Sequence, residues 1–234
     1  MSEFGRLSGV FLDPKPAFAD IATRPRWWVP LVLLVVVVLG YMLAFSRHVG
    51  WQRFMRQTMD ASPRAQNLSA AEREQAIQLQ ARFAPFFGTA GAAIAAPVSV
   101  LAQAAVLLLI FNGILGAMLR FEQAFALTCY ASLVGVLKTA VGILVMFLKN
   151  PEDFDLRNPV ASNLGALLDP QTTSKWLVSI GTSLDLFTIW AVLLLATGFS
   201  IAARKVTWSK SLLAAMVPWI GWTAIMSAWA AIFS

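Results

Sequence analysis

The feature that most constrains the fold is an uncharged stretch of 37 residues, from Phe83 to Leu119. Shorter apolar runs with almost no charge lie before and after it, and only 13% of all residues are charged, about half the share in soluble domains. A bilayer core of about 30 Å is crossed by about 20 helical residues. Inside lipid every backbone polar group must be paired within the spanning structure, and these runs lack the alternation of barrel strands. The sequence therefore predicts an all-α, polytopic transmembrane helix bundle.

The same pattern predicts a short leader, residues 1–26, followed by a membrane domain, residues 27–234. Most of the nine tryptophans lie near the ends of the hydrophobic runs, as interfacial anchors do. The membrane domain is predicted to contain about five spans, at residues 27–46, 84–119, 123–148, 176–203 and 211–233.

Residues 1–26 are predicted to form a short amphipathic leader in the cytoplasm. Asp13 and Pro14 are residue types that favour an N-cap and a first helical position. The helix that follows is expected to carry Phe18 and Ile21 on one side. Two placements are open: the helix lies flat on the lipid surface with its aromatic side chain buried there, or the leader is an ordinary cytoplasmic arm.

The net charge of +6 corresponds to a sequence pI of about 10.0. In a soluble protein this excess would suggest a nucleic-acid partner, but here the basic residues are scattered over short connectors without a dense patch. They are interpreted as topology signals that also meet anionic lipid head groups, so no nucleic-acid partner is expected. The short hairpin 204–210, whose charges are all basic, favours a cytoplasmic N-terminus.

Two charged residues, Lys138 and Asp185, lie inside the predicted spans. At 1.5 Å per residue both are about 15–17 Å from the same membrane face, which predicts an ion pair near the midplane. Gln103 lies at a similar depth and is predicted to be a polar neighbour of the pair. The favoured interpretation is a structural contact that fixes how spans three and four dock, so that exchanging the two charges should preserve the fold. The alternative is a relay for protons, ions or substrate, because charges inside membranes often mark transport pathways.

Signals of catalysis are missing from the sequence. The single histidine, His48, lies at the edge of span one, and the single cysteine, Cys129, lies inside span three. A metal site needs several such ligands at suitable spacing, and a hydrolytic dyad needs a second partner within the spans. No phosphate loop or dinucleotide fingerprint occurs. We therefore expect no catalytic, metal-binding or cofactor-binding residues, no cofactor and no enzyme activity.

Several short segments follow one another in a distinctive order: FLDPKPAF (11–18), PRWWVPL (25–31), FEQAFALTCYASLVGVLK (121–138), NPVASNLGALL (158–168) and SLDLFTIW (183–190). In this order they resemble the Yip-one domain family, the Ypt/Rab-interacting membrane proteins, in its bacterial branch. The resemblance covers most of the chain and implies a five-span bundle with a cytoplasmic N-terminus and a C-terminus across the membrane. Eukaryotic members are linked to vesicle traffic and Rab GTPases, which a bacterium lacks. The family thus implies a fold and transfers no catalytic or binding residue.

Together these features predict a non-enzymatic integral membrane protein, a scaffold or adaptor that binds other membrane proteins or lipids. The alternative function is a small transporter or channel that uses Lys138 and Asp185. The expected partners are the lipid bilayer and other membrane proteins, with a homo-oligomer left open. The expected location is the bacterial cytoplasmic membrane.

Overall fold

The structure is a computed structural model that describes residues 1–60, 67–156, 158–169 and 172–233. Within these ranges there is no β-strand, only an isolated bridge between Asn163 and Asp185. The predicted all-α fold is therefore confirmed. In chain order the helices are α1 (Glu3–Leu12), α2 (Pro14–Thr23), α3 (Trp28–His48), α4 (Trp51–Asp60), α5 (Ala70–Leu109), a π-helical turn (Ile110–Ile114), α6 (Phe121–Ala131), α7 (Leu133–Leu148), a 3-10 turn (Leu164–Leu167), α8 (Lys175–Ser183), α9 (Leu186–Ala202) and α10 (Trp208–Phe233).

Helices of membrane-spanning length account for much of the described chain. In the described ranges, four helical segments are long and apolar enough to cross a bilayer: Trp28–His48, Ala70–Ile114, Phe121–Leu148 and Trp208–Ile232. A further apolar helix, α9, is shorter, with 17 residues. With α9, the number of apolar segments agrees with the predicted number of about five spans, while the limits of each span stay a prediction.

The chain divides into two compact units, which are described separately. Unit 1 comprises Met1–Leu34, Pro97–Lys138 and Ala161–Ser234. In its core, α9 packs against α2, α6 and α10. The fully buried rings of Tyr130 and Phe199 belong to this core, so helices from both ends of the sequence contribute to one hydrophobic interior.

Unit 2 comprises Val35–Ala96 and Thr139–Val160. Its core is an aromatic cluster in which the ring of Phe45 packs edge-on against those of Trp51 and Phe54, with centroids 5.1 Å and 5.9 Å away. Such edge-to-face pairs add to the stability gained from burial alone. Other buried members of the cluster are Tyr41, Met146 and Phe154.

Helix α5 has 40 residues and continues without interruption through Pro85 and Pro97. At the π-helical turn that follows, the side chain of Asn112 forms hydrogen bonds with the backbone of Leu119. Its Nδ2 donates to the Leu119 carbonyl (2.8 Å), and its Oδ1 accepts from the Leu119 N–H (2.7 Å). Buried backbone groups need such partners, and Asn112 supplies both for the loop that leads into α6. In this loop Met118 has a positive φ of 56°.

The leader forms two helices, α1 and α2, that belong to the core of unit 1. The side chains of Val10, Phe18 and Ile21 are fully buried there. The ring of Phe18 lies on Gly198 of α9, where an added Cβ would come within 2.9 Å of the ring atom Cδ1. The predicted helix after Asp13 is present, but protein covers its apolar side, a placement not considered from the sequence. An amphipathic pattern shows that a face is buried and does not show what buries it.

Candidate functional site

The fourth predicted span is interrupted at the residue that carries its charge. Helix α8 ends at Ser183 and α9 begins at Leu186, so Asp185 caps the second helix instead of lying within a continuous one. Its Oδ1 accepts hydrogen bonds from the N–H groups of Phe187 (3.0 Å) and Thr188 (3.2 Å). These N–H groups have no partner within the helix, and the positive end of the helix dipole also favours a carboxylate at this position.

The other carboxylate oxygen of Asp185 accepts from two side chains. Lys138 Nζ lies 3.2 Å from Oδ2, and the Ser162 hydroxyl donates to the same oxygen. Asp185 is 1% exposed, whereas the side chain of Lys138 is 33% exposed. A carboxylate has about four acceptor positions, and these donors fill them, together with the Thr188 hydroxyl at 3.5 Å from Oδ1. The structure thus brings together the two charged residues singled out from the sequence and adds Ser162, which was not singled out.

Part of the connector before α8 completes this site. The Leu186 N–H donates to the Ser162 carbonyl (3.1 Å). The Leu164 N–H donates to the Leu184 carbonyl (3.3 Å). Backbone groups freed by a helix break need partners when they are buried, and this short antiparallel bridge supplies them. Gly165 packs so closely on α8 that an added Cβ would lie 2.7 Å from a backbone nitrogen of that helix.

Two segments that carried the family resemblance, 158–168 and 183–190, meet at this break. The first segment lies in the connector between the third and fourth predicted spans. Its polar pair Ser162 and Asn163, followed by Gly165, was the only available signal of a special role. Asn163 is 7% exposed, and its side chain caps the 3-10 turn.

Gln103, the predicted polar neighbour of the pair, lies on α5 and is half-buried. Within the described residues, no hydrogen bond joins Gln103 to Lys138 or to Asp185. Residues at the same depth on different helices need not face one another, because side-chain direction turns by about 100° per residue along a helix. The role of Gln103 beside the pair stays a prediction.

A second charged cluster, which the sequence did not reveal, surrounds Arg6 in the leader. The Arg6 side chain is 2% exposed. Its Nε donates to Asp20 Oδ2 (2.7 Å), and its Nη1 lies 3.4 Å from Glu3 Oε1. Nη1 also donates to the Arg24 carbonyl (3.1 Å). A buried guanidinium needs this many partners because they must offset the loss of its hydration. Arg6 therefore joins α1 to the C-terminal end of α2.

This Arg6 cluster shifts the pKa values of both of its central groups. Burial alone would raise the pKa of Asp20, but hydrogen bonds from the N-terminal ammonium (3.0 Å), Arg24 Nη2 (2.5 Å) and Arg6 hold it well below its usual range. Burial alone would lower the pKa of Arg6, but its hydrogen bonds and the charges of its partners raise it. Both groups are therefore charged at neutral pH.

Side chains of α6 link the bundle to the leader. The Tyr130 hydroxyl donates to Glu3 Oε2 (2.8 Å), and Gln123 Nε2 donates to the Ala22 carbonyl (2.9 Å). These bonds are added to the apolar contact made by Phe18. The leader is thus docked on unit 1 by a hydrophobic face and by a polar junction at its rim.

These elements define a class of protein, a polytopic α-helical membrane protein with buried polar contacts at helix ends. The family model of the Yip1 domain matches residues 8–230, and the chain belongs to this family, which confirms the resemblance. The chain is 24% identical over 210 residues to a Bacillus subtilis (strain 168) protein described as "Membrane protein YknW", with 88% of this chain and 84% of that protein covered. No solved structure matches the chain. The matched range includes the Asp185 site and begins after Arg6.

Proposed function

We propose that this protein is a non-enzymatic scaffold or adaptor that binds other membrane proteins or lipids. Its place would be the bacterial cytoplasmic membrane, with the N-terminus in the cytoplasm. The Yip1 family is not a known enzyme family, and the Bacillus subtilis relative is described only as a membrane protein. The orientation rests on the basic hairpin 204–210 and on the preference of such hairpins for the cytoplasmic side.

The observation that carries the proposal is the saturation of the Asp185 carboxylate. Two N–H groups of α9 and the Ser162 hydroxyl bind it in addition to Lys138. A carboxylate that carries protons or substrate must exchange such partners in every cycle and would leave buried groups unpaired. The arrangement instead suits a permanent contact between α7 and the broken helix, which supports a structural role for the pair.

An adaptor also needs a helix surface that another membrane protein can approach. On α5, Gly91 is exposed, and no described atom lies within 4 Å of the position of an added Cβ. Ala95, one turn further, is exposed as well. Small residues four apart allow two helix backbones to come close. Gly88, three residues earlier on α5, is instead covered by Trp51 of the same unit, whose ring would lie 2.3 Å from an added Cβ.

The test is purification in a mild detergent, followed by mass spectrometry of the proteins and lipids that remain bound. Gly91→Leu should block close approach and remove a stoichiometric partner. Gly40→Leu is the matched control, because Gly40 is an exposed glycine of the same unit with no described atom near an added Cβ. A wild-type preparation that retains neither a stoichiometric protein nor a lipid would contradict the adaptor proposal.

A second candidate function is a small transporter or channel that uses Lys138 and Asp185. The break between α8 and α9 favours it, because transporter sites often lie at interrupted helices. Asp185→Asn keeps a side chain that caps helices well and removes the charge. A transporter should then lose proton flux, measured in proteoliposomes with a trapped pH-sensitive dye, while the variant remains folded. Unchanged flux in this variant would rule out proton transport through the pair.

A further inference from the structure

A polar groove of about 460 Å³ lies in unit 2, and none of its lining residues belongs to the charged clusters described above. One wall is formed where α3 turns into α4, and the other wall is one face of α5. Gly50, at the turn, has a positive φ of 86°, a conformation that glycine adopts without strain. The lining residues are Ser46, Gly50, Trp51, Gln52, Gln78, Ala81, Arg82 and Pro85.

Trp51, one of the lining residues, is closely packed. Trp51 is 8% exposed and packs edge-on against Phe45, with ring centroids 5.1 Å apart. Its ring also lies against Gly88 of α5, where an added Cβ would be 2.3 Å from the ring atom Cη2. Tight packing on two sides keeps a side chain in one rotamer. The groove is thus a built feature of the aromatic core and not a chance gap between loops.

The walls of the groove present hydrogen-bond donors and one positive charge. Gln78 and Arg82 are four residues apart on α5, so their side chains lie on the same face of the helix. Ser46 and Gln52, which carry a hydroxyl and an amide, line the other wall. Among the described residues Arg82 forms no ion pair, and no carboxylate lines the groove. A guanidinium beside neutral donors is the typical environment for a phosphate group.

The nearest carboxylate on α5 does not neutralise this charge. Glu74 lies one turn before Gln78, and its Oε2 is 3.2 Å from Arg56 Nη2. Gln78 Nε2 donates to Glu74 Oε1 (3.3 Å), which orients the amide. The negative charge of Glu74 is thus matched by Arg56, and Arg82 keeps a net positive charge for a ligand.

Directly beyond Arg82 the chain enters its uncharged stretch, so the groove lies where a membrane surface is predicted. The Arg82 guanidinium is 5.9 Å from the ring centre of Phe83. Phe83, Phe86 and Phe87 are exposed by 50%, 71% and 65%, which gives an apolar surface next to the polar groove. A ligand that suits both parts has a phosphate head and acyl chains.

We propose that this groove binds the head group of an anionic glycerophospholipid of the phosphatidylglycerol type. Arg82 binds the phosphate, the Gln52 and Gln78 amides bind the glycerol hydroxyls, and the exposed phenylalanines contact the acyl chains. An amine head group is less suited, because no carboxylate lines the groove to pair with it. The proposal rests on the lipid-binding part of the proposed function, but it needs no protein partner.

Native mass spectrometry of the purified full-length protein with added phosphatidylglycerol or phosphatidylcholine tests this proposal. Wild-type protein should bind phosphatidylglycerol preferentially. Arg82→Gln should lower that binding about tenfold, as expected when one charge-assisted contact is lost. Arg47→Gln is the matched control, since Arg47 is an exposed residue in the last turn of α3 that does not line the groove. It should bind the lipid as the wild type does.

Three results would overturn the assignment. Equal losses in Arg82→Gln and Arg47→Gln would indicate general electrostatic attraction, and equal binding of the two lipids would exclude head-group selection. Displacement of phosphatidylglycerol by an equal concentration of inorganic phosphate would indicate a site for free anions. If Arg82→Gln changed the elution volume or the unfolding midpoint, the double variant Gln52→Leu with Gln78→Leu would serve, with the same expected loss. A failed lipid test would leave protein partners, and hence the adaptor proposal, unaffected.

Discussion

The Arg6 cluster and the Asp185 site each bury one charge in unit 1, with side-chain exposures of 2% and 1%. They compensate that charge in different ways. Arg6 contacts two carboxylates, Asp20 and Glu3, and a backbone carbonyl. Asp185 contacts one opposite charge, while its other donors are two N–H groups and the Thr188 hydroxyl of its own helix and the Ser162 hydroxyl. One site is a network of charges, and the other is mainly a helix cap.

This difference shows which buried charges a sequence reveals. Asp185 is the only charged residue between Lys175 and Arg204, so its position in an apolar run is unusual by itself. Arg6 lies close to Glu3 and other polar residues, and such a residue normally lies on the surface. Both charges are equally buried, but only the one with apolar neighbours in sequence could be recognised.

The largest effect is expected for Asp185→Leu. This change leaves Lys138 without its carboxylate and removes the cap of α9. Loss of one partner of a fully buried pair costs about 3–5 kcal/mol, which is an upper limit here because the side chain of Lys138 is 33% exposed. The unfolding midpoint in detergent, followed by tryptophan fluorescence, should fall sharply. Asp185→Asn is the matched control and should lose less, because asparagine also caps helices. Equal losses in the two variants would show that capping contributes nothing.

Exchange of the charges, Lys138→Asp with Asp185→Lys, sharpens the same comparison. The sequence alone led us to expect that this exchange preserves the fold. The structure changes that expectation, because a lysine cannot accept the hydrogen bonds of the Phe187 and Thr188 N–H groups. The double variant should therefore remain well below the wild type in unfolding midpoint. Full recovery would mean that the ion pair alone matters.

A smaller and more local effect is expected for Arg6→Met. Its loss leaves Asp20 and Glu3 without their buried partner, and a hydrogen bond to a charged group contributes about 1.5–3 kcal/mol. Hydrogen exchange of the α1 and α2 amides should become faster, with little change in α10. Arg24→Met is the matched control: the side chain of Arg24 is 64% exposed, and exposed ion pairs contribute about 0–1 kcal/mol. Equal exchange in both variants would contradict a special role of Arg6.

Substitutions at two glycines test how tightly the chain is packed beside the Asp185 site and beneath the leader. An added Cβ at Gly165 would meet a backbone nitrogen at 2.7 Å, whereas one at Gly198 would meet a ring atom of Phe18 at 2.9 Å. Overpacking costs about 1–3 kcal/mol, and backbone atoms can shift away from an added methyl group less easily than a side-chain ring can. Gly165→Ala should therefore lower the unfolding midpoint more than Gly198→Ala. Gly221→Ala, where open space surrounds an added Cβ, should not lower it, because alanine favours a helix interior over glycine.

The smallest effect is a pH dependence of hydrogen exchange in the leader. The pKa of Asp20 is lower in the folded protein than its usual value of about 4. Its contribution is thus fully present above about pH 4 and is lost as the pH falls through the lowered folded pKa. Hydrogen exchange of α2, corrected for intrinsic rates, should show weaker protection at pH 3 than at pH 6, and Asp20→Asn should remove this difference. Unchanged wild-type protection at pH 3 would contradict this prediction.

Much of the Asp185 site lay beyond sequence analysis for a specific physical reason. Depth along two antiparallel helices was enough to pair Lys138 with Asp185, because depth follows from residue count. Gln103 has a similar depth, yet no hydrogen bond joins it to the pair in the described residues. Ser162 could not be included, because its contact depends on the path of an irregular connector, which no periodicity describes.

The sequence by itself determined that this chain is α-helical and spans a membrane, because run length and charge are properties read along the chain. It also determined the family. The tertiary structure alone decided that the leader enters the core of unit 1 and that α8 and α9 separate at Asp185. Such features rest on contacts between distant residues, as between Tyr130 and Glu3, which are 127 positions apart. Local sequence patterns indicate which side chains will be buried, but only the tertiary structure shows which residues cover them.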